Sequence, residues 1–181
     1  MAMYAPKAGA FFRTFDEYEL GLCLRLNRAS AWPSLRGVFR VASRLGDGVF
    51  WYVLMALLPV LFGPEALAAS VHMALVGGAG VALYKVLKTR MVRERPFVTH
   101  AAISLGTAPL DQYSFPSGHT LHAVAFTLVA SAYYPVLAWL LVPFAALVML
   151  SRVVLGLHYP SDVLAGAAIG ALLAYGSFLP L

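Results

Sequence analysis

The sequence predicts an all-α integral membrane protein, a bundle of five or six transmembrane helices with an amphipathic N-terminal segment. Hydrophobic residues make up 61% of the 181 residues and charged residues only 12%, whereas soluble domains have about 45–50% and about 25%. The apolar residues fall into long runs that are separated by short polar joints. Because backbone polar groups in lipid must be hydrogen-bonded within their own segment, these runs are expected to be helices.

The N-terminal region, residues 1–47, differs from the rest of the chain. Between residues 13 and 46, arginines alternate with leucine, valine and phenylalanine so that a helix would have one basic and one apolar face. This pattern predicts one or two helices in the membrane interface, broken near Trp32-Pro33. The alternative is a sixth crossing helix, which the arginines disfavour: Arg25, Arg28, Arg36, Arg40 and Arg44.

Residues 48–181 are predicted to form the transmembrane domain. Several of its apolar runs are shorter than the roughly 20 residues that cross a membrane, so each must borrow a turn from its flanks. The small residues of Gly77-Gly78-Ala79-Gly80 are expected to let two helices pack closely. The predicted crossing segments are Val49–Phe62, Ala66–Val86, His119–Tyr134, Val136–Leu150 and Val163–Leu179.

Three polar clusters interrupt the apolar chain, at residues 88–96, 115–119 and 151–162. Each cluster lies at the end of a predicted crossing segment, and counting the crossings places all three on one side of the membrane. Ionisable residues at membrane depth are costly. Their convergence therefore predicts a functional site.

The clusters contain residues suited to binding a phosphoryl group. Lys88, Arg95 and Arg152 are three cations that can clamp phosphate oxygens. Ser117 and Gly118 are expected at a helix N-terminus, where free backbone N–H groups bind anions. Other basic residues near the clusters, namely Lys85, Arg90 and Arg93, are expected to be ordinary interfacial cations.

Two histidines, His119 and His158, can share the work of phosphoryl transfer as general acid and nucleophile. Asp162 follows His158 by four residues, and Pro160 is expected to start a helix that holds Asp162 in its first turn. A carboxylate at that distance can fix the imidazole tautomer. No acidic residue follows His119 closely, so His158 is assigned as the nucleophile and His119 as the acid.

Together, Lys88-x6-Arg95-Pro96, Pro116-Ser117-Gly118-His119 and Ser151-Arg152-x5-His158-x3-Asp162 resemble the tripartite signature of the type-2 phosphatidic acid phosphatase family. The resemblance spans residues 48–179. It implies a bundle with six core helices and a phosphatase that forms a phosphohistidine without metal or cofactor. His158 would be the nucleophile, Asp162 its partner and His119 the proton donor. The implied phosphate-binding residues are Lys88, Arg95, Ser117, Gly118 and Arg152.

The resemblance implies a lipid phosphate or pyrophosphate as substrate, of the undecaprenyl pyrophosphate, phosphatidylglycerophosphate, lipid A or phosphatidate type. The Arg95-Pro96-Phe97-Val98 joint most resembles the undecaprenyl-pyrophosphate phosphatases. A lipid phosphotransferase and an anion transporter are alternatives, and so is a vanadate-dependent haloperoxidase, which shares the motif but is a larger soluble enzyme. The expected partners are membrane lipids and not nucleic acid, while the sequence gives no indication of oligomeric state.

The distribution of charge and the family resemblance indicate opposite sides of the membrane for the site. All 13 Lys and Arg residues fall on the side of the site if residues 1–46 do not cross. The positive-inside rule would then place the site in the cytoplasm. The resemblance implies a multi-pass protein of the bacterial inner membrane whose site faces away from the cytoplasm, and we expect that orientation because several of these cations serve the site.

Overall fold

The structure, a computed structural model, describes residues 7–179, with side chains from residue 16 onward. Within this range the regular structure is entirely helical. Short 3₁₀ turns precede α2, α4 and α7. The α-helices are α1 (Lys7–Asn27), α2 (Pro33–Arg44), α3 (Phe50–Phe62), α4 (Leu67–Arg90), α5 (Pro96–Thr99), α6 (Gly118–Tyr133), α7 (Ala138–Val154) and α8 (Pro160–Gly176).

The five predicted crossing segments correspond to α3, α4, α6, α7 and α8. Three stretches are long and apolar enough to cross a membrane: Pro33–Phe62, Pro64–Arg90 and Pro135–Val154. Helix α8 is a shorter apolar helix, and α6 has 16 residues, which at 1.5 Å per residue is about 24 Å. The prediction of an all-α integral membrane protein is confirmed.

Helix α6 lies at the centre of the bundle, where it packs against α4, α7 and α8. Glycines allow the closest of these approaches. A Cβ atom at Gly170 would lie 2.3 Å from the backbone oxygen of Leu121, and one at Gly166 would lie 2.5 Å from that of Ser117. The backbones of α6 and α8 are therefore in direct contact.

The Gly77–Gly80 run has the packing role that its sequence predicted. A Cβ atom at Gly77 would lie 2.7 Å from the ring of Phe126, and one at Gly80 would lie 2.8 Å from Leu121. Because both neighbours belong to α6, these glycines allow α4 to approach it. The central apolar core includes Trp51, Leu58, Met73, Phe126, Val129, Leu141 and Val148.

The N-terminal segment is attached to the end of α7 that carries the third polar cluster. The Asn27 side chain donates to the backbone oxygens of Ser104 and Val154, both at 2.9 Å, and accepts from the Ser104 N–H at 2.8 Å. The Ser30 hydroxyl donates to the same Val154 oxygen at 2.6 Å. Asn27 is thus a joint between α1, α7 and the loop before α6.

The break near Trp32-Pro33 is present, because a 3₁₀ turn ends at Ala31 and Pro33 begins α2. Helix α2 continues into α3 through a π-helical turn, Leu45–Val49, in which Gly48 has φ +135°. On α2, Arg40 donates to the backbone oxygen of Gly106. An interfacial location for the N-terminal segment, and a domain boundary at residue 47, stay predictions.

Candidate active site

The three polar clusters meet around one cavity of 460 Å³. Lys88 lies at the end of α4, Arg95 just before α5, His119 in the first turn of α6, Arg152 in the last turn of α7, and His158 in the following loop. The remaining wall is largely apolar and comes from α3, α4 and α6. It includes Trp51, Tyr52, Met55, Val81, Tyr84 and Phe126.

The three predicted phosphate-binding cations are buried, with Lys88 8% exposed and Arg95 and Arg152 each 2% exposed. Arg152 contacts the Ser43 hydroxyl of α2 through Nη1. Its Nε atom is buried and has no hydrogen-bond partner within the described part of the chain. Buried polar groups are rarely left unpaired, so this N–H is a donor suited to an anionic ligand.

Asp111 holds the other two cations and was not predicted from the sequence. Its Oδ2 atom lies 2.6 Å from Lys88 Nζ, and its Oδ1 atom lies 2.8 Å from Arg95 Nη2. Burial alone would raise the pKa of Asp111, but the hydrogen bonds and charges of Lys88 and Arg95 outweigh it and lower that pKa. The available signal was that Asp111 is the only acidic residue between Glu94 and Asp162.

Replacing Asp111 with asparagine is expected to strengthen inhibition by vanadate. The carboxylate occupies donors that a phosphoryl group would use, and hydrogen bonds to charged groups contribute about 1.5–3 kcal/mol. We expect the vanadate Ki to fall roughly ten-fold or more. Glu65→Gln is the control, because it removes an exposed carboxylate between α3 and α4, at the other end of the bundle. Weaker vanadate inhibition in Asp111→Asn would mean that Asp111 positions the cations instead of competing for them.

His158 is held between Arg95 and Asp162. Its Nε2 atom lies 3.2 Å from Arg95 Nη1. Its Nδ1 atom lies 3.6 Å from Asp162 Oδ2 and 3.5 Å from the Ser114 hydroxyl. Since arginine can only donate, Nε2 is the acceptor and Nδ1 carries the proton. The unprotonated nitrogen is therefore the one beside Arg95, a predicted phosphate-binding cation.

Asp162 lies in the first turn of α8, as predicted, and is completely buried. It accepts hydrogen bonds from the Tyr159 N–H at 2.8 Å and from the Ser114 hydroxyl. Ser114 was not predicted, and it lies just before the second cluster, where only its hydroxyl marks it as a candidate. These bonds fix the carboxylate whose Oδ2 faces His158.

The pH dependence of activity is expected to reflect a His158 that stays neutral in mild acid. Burial lowers the pKa of His158 well below its ordinary value, and the nearby charges of Arg95, Arg152 and Lys88 lower it further. His158 is the predicted nucleophile and would act in its neutral form, so the acid limb of kcat/KM should lie well below the ordinary histidine pKa of about 6.5. Measuring pH profiles with two substrates whose phosphates differ in pKa distinguishes ionisation of the enzyme from ionisation of the substrate. A substrate-independent limb near pH 6.5 would contradict the lowered pKa.

His119 has an acidic neighbour that its sequence context did not reveal. Asp47 Oδ1 lies 3.4 Å from His119 Nε2. The π-helical turn places Asp47 there, since Gly48 has a positive φ and a Cβ atom at Gly46 would lie 2.7 Å from Val148. The argument that only His158 has a carboxylate nearby is therefore wrong in three dimensions.

Ser117 and Gly118 begin α6, as predicted. Ser117 is the N-cap, and its completely buried hydroxyl accepts from the Thr120 N–H at 3.4 Å and contacts the Thr120 hydroxyl at 3.0 Å. Its own N–H donates to the Asp162 backbone oxygen at 3.1 Å. Gly118 lines the cavity. The Ser117 hydroxyl is engaged within the fold, so its binding of phosphate stays a prediction.

Arg93 was expected at the interface, and that expectation is wrong, because the residue is only 1% exposed. Its guanidinium contacts Asp162 Oδ1 at 2.5 Å and Asp16 Oδ1 at 2.6 Å. The spacing between Arg93 and Asp16, 77 residues, explains why no local pattern indicated it. Arg93 therefore lies next to the site, where it contacts Asp162.

The described residues contain no group of three or more His, Cys, Asp or Glu side chains that could hold a metal ion. Two of the acidic side chains near the cavity are bonded to cations and hydroxyls. Asp111 contacts Lys88 and Arg95, while Asp162 contacts Arg93 and Ser114.

Comparisons with known proteins give the same family as the motif. Residues 66–179 match the model of the PAP2 superfamily. The decaprenylphosphoryl-5-phosphoribose phosphatase of Mycobacterium tuberculosis is 37% identical over 144 residues, which cover 77% of this chain and 76% of that one. The undecaprenyl-diphosphatase BcrC of Bacillus subtilis is 30% identical, covering 68% of this chain and 64% of that one. The crystal structure of Aquifex aeolicus LpxE matches with a TM-score of 0.77 and 28% identity, covering 88% of this chain and 94% of that one.

The family match runs from the start of α4 to the end of the described residues. The match covers well over half of the chain, and it includes both histidines and all three cations of the cavity. The predicted enzyme class, a membrane lipid phosphatase, is confirmed, and the chain belongs to the PAP2 superfamily.

Proposed function

We propose that the cavity hydrolyses a polyprenyl phosphate or diphosphate through a phosphohistidine on His158. The observation that carries the proposal is the meeting of three buried cations and two histidines in one cavity with an apolar wall. Cations bind the phosphoryl oxygens, and the apolar wall suits a hydrocarbon chain. The phosphate and the lipid thus have separate surfaces in the same space.

In the first step His158 Nε2 attacks phosphorus, and the bond from phosphorus to the lipid oxygen breaks. The electron pair leaves with that oxygen, and His119 donates the proton that neutralises it. In the second step His119 takes a proton from water, whose oxygen attacks the phosphorus and releases inorganic phosphate from His158. Lys88, Arg95, Arg152 and the first turn of α6 stabilise the charge on the phosphoryl oxygens in both steps.

A polyprenyl chain is favoured by two of the relatives. One is named for decaprenylphosphoryl-5-phosphoribose and the other for undecaprenyl diphosphate. In this chain the cavity wall contains Trp51, Tyr52 and Met55 on α3 and Val81 on α4. Each buried CH₂ group contributes about 0.8 kcal/mol, so long chains should be strongly preferred.

The test is phosphate release by the purified protein from a panel of lipids, in detergent and in excess EDTA. The panel contains undecaprenyl diphosphate and phosphate, farnesyl diphosphate, phosphatidylglycerophosphate and phosphatidate. We expect turnover in EDTA and the highest kcat/KM for the undecaprenyl lipids. Equal values for farnesyl and undecaprenyl diphosphate would refute the polyprenyl assignment. Activity lost in EDTA and restored by Mg²⁺ would refute the mechanism, and His158→Ala serves as the inactive control.

We also propose a bacterial inner-membrane location with the cavity facing away from the cytoplasm. Helix α8 begins at the cavity and runs away from it to Gly176, so the C-terminal end of α8 would then face the cytoplasm. A green fluorescent protein fused after residue 181 should be fluorescent, and an alkaline phosphatase fused there should be inactive. The opposite pair of results would place the cavity in the cytoplasm.

A further inference from the structure

Arg93 connects the N-terminal helix to the residue that faces the nucleophile. Through Nη1 it donates to Asp162 Oδ1 at 2.5 Å and to the Ser161 hydroxyl at 2.7 Å. Through Nε and Nη2 it donates to Asp16 Oδ1 at 2.9 and 2.6 Å, and Nη2 also reaches Glu19 Oε2 at 3.0 Å. One guanidinium thus bonds Asp162 on one side and two carboxylates of α1 on the other.

The ring of Tyr159 fixes the plane of this guanidinium. The central carbon of Arg93 lies 3.9 Å from the ring centroid, a stacked geometry that arginine adopts readily. The Tyr159 hydroxyl is 2.7 Å from the Thr99 hydroxyl of α5. The Tyr159 ring therefore restricts the orientation of the Arg93 guanidinium, while the carboxylates around it balance its charge.

Glu19 makes a second connection, to the first turn of α8. Its Oε1 atom accepts from the Ser161 N–H and its Oε2 atom from the Ser161 hydroxyl, both at 2.9 Å. Negative charge at a helix N-terminus is stabilising. Because Asp162 belongs to this turn, α1 holds Asp162 both through Arg93 and through the backbone of its own helix.

We propose that α1 is part of the catalytic machinery, with Asp16 and Glu19 as positioning residues that hold Arg93 against Asp162. The inference rests on the proposed hydrolytic function, in which Asp162 orients His158. Asp162 Oδ1 is occupied by Arg93, so Oδ2 is the oxygen left to face His158 Nδ1. The positive charge of Arg93 favours the anionic form of Asp162, which can polarise the ring, and the two carboxylates of α1 hold the guanidinium in place.

This role is separable from the attachment of α1 to the bundle. The Asn27 joint fixes the end of α1 by hydrogen bonds that involve none of these charges. Asn27→Ala is therefore a matched control that loosens α1 without altering the charges around Arg93. Asp16→Asn with Glu19→Gln does the reverse, because it removes the charges and leaves the joint.

The experiment measures kcat and KM for Arg93→Gln, Asp162→Asn, Asp16→Asn/Glu19→Gln and their combinations, on proteins shown to be folded by thermal melting. We expect Arg93→Gln to lower kcat about 10- to 100-fold, the range typical when a partner one step behind a reacting group is lost, with little change in KM. Adding Arg93→Gln to Asp162→Asn should cause no further loss. Adding Asp16→Asn/Glu19→Gln to Arg93→Gln should also cause no further loss of kcat, because these residues act through the same series of contacts.

Losses that multiply in the combined variants would overturn the proposal, as would a rise in KM at constant kcat. So would an Asn27→Ala variant that loses as much kcat as Asp16→Asn/Glu19→Gln. If Arg93→Gln does not fold, Arg93→Lys provides the same cycle, since it keeps the charge but loses the bidentate geometry. Full activity of His158→Ala would instead refute the hydrolytic mechanism itself, which distinguishes the two failures.

Discussion

His158→Ala is expected to abolish turnover of every substrate, whereas His119→Ala should retain activity where the leaving group is good. In the proposed mechanism no phosphohistidine can form without the His158 ring. Without His119 the departing oxygen is unprotonated, and general acid catalysis contributes on the order of 10²–10⁴-fold. An alkyl phosphate needs that proton most, and p-nitrophenyl phosphate needs it least. The measurement is the ratio of the two rates in each variant.

Asp162→Asn provides the control for this comparison. It disturbs the orientation and tautomer of His158 and leaves the acid in place, so both substrates should lose activity by a similar factor. Asp47 lies beside His119, so substituting Asp47 also tests the assignment of His119 as the acid. The roles are reversed if His158→Ala keeps activity on the activated substrate while His119→Ala loses it.

Gly170→Val is expected to prevent α6 and α8 from packing and to leave little folded protein. Even a Cβ atom at this position would lie 2.3 Å from the backbone oxygen of Leu121. Backbone inside a helix cannot move aside as a side chain can, so the helices must separate. Overpacking of a core commonly costs about 1–3 kcal/mol and more when backbone must shift. We expect a fall in melting temperature of roughly 10 °C or more, if the protein is recovered at all.

A matched control for Gly170→Val lies at the end of the same helix. A Cβ atom at Gly176 would meet nothing within 4 Å, so Gly176→Val should leave the melting temperature nearly unchanged. Size-exclusion chromatography after a temperature series gives both values. An unaltered Gly170→Val variant would show that α6 and α8 have more freedom to separate than their backbone contact indicates.

The sequence predicted the bundle and most of the cavity because both depend on local patterns. Apolar runs between polar joints located α3, α4, α6, α7 and α8 within a few residues. The ends of α4 and α7 extend further than predicted, to Arg90 and Val154, because polar residues such as Lys88 and Arg152 are carried inside the last helical turn. The short spacing from His158 to Asp162 was enough to place both residues in one turn and its preceding loop.

Other contacts could not be predicted, because they join residues that are distant in sequence. Asp111 and Asp47 lie in a loop and a turn whose paths depend on how neighbouring helices pack. Arg93 resembled any interfacial arginine until α1 was seen to supply two carboxylates to it. Which residue pairs with a given charge depends on how the chain folds, and 77 residues separate Arg93 from Asp16. Composition and spacing therefore reveal which residues are chemically capable, but not which of them are neutralised by others.

The backbone contact between α6 and α8 also divides the bundle into two parts with different freedom to evolve. His119, Asp162 and the turn that carries His158 are tied to these two helices, where glycine positions 166 and 170 accept no side chain. The apolar wall of the cavity comes mainly from α3 and α4, at positions such as Tyr52, Met55 and Val81. Those side chains can change size without altering the distance between the histidines. Substitutions at such wall positions therefore change the space for a hydrocarbon chain while the two histidines keep their places.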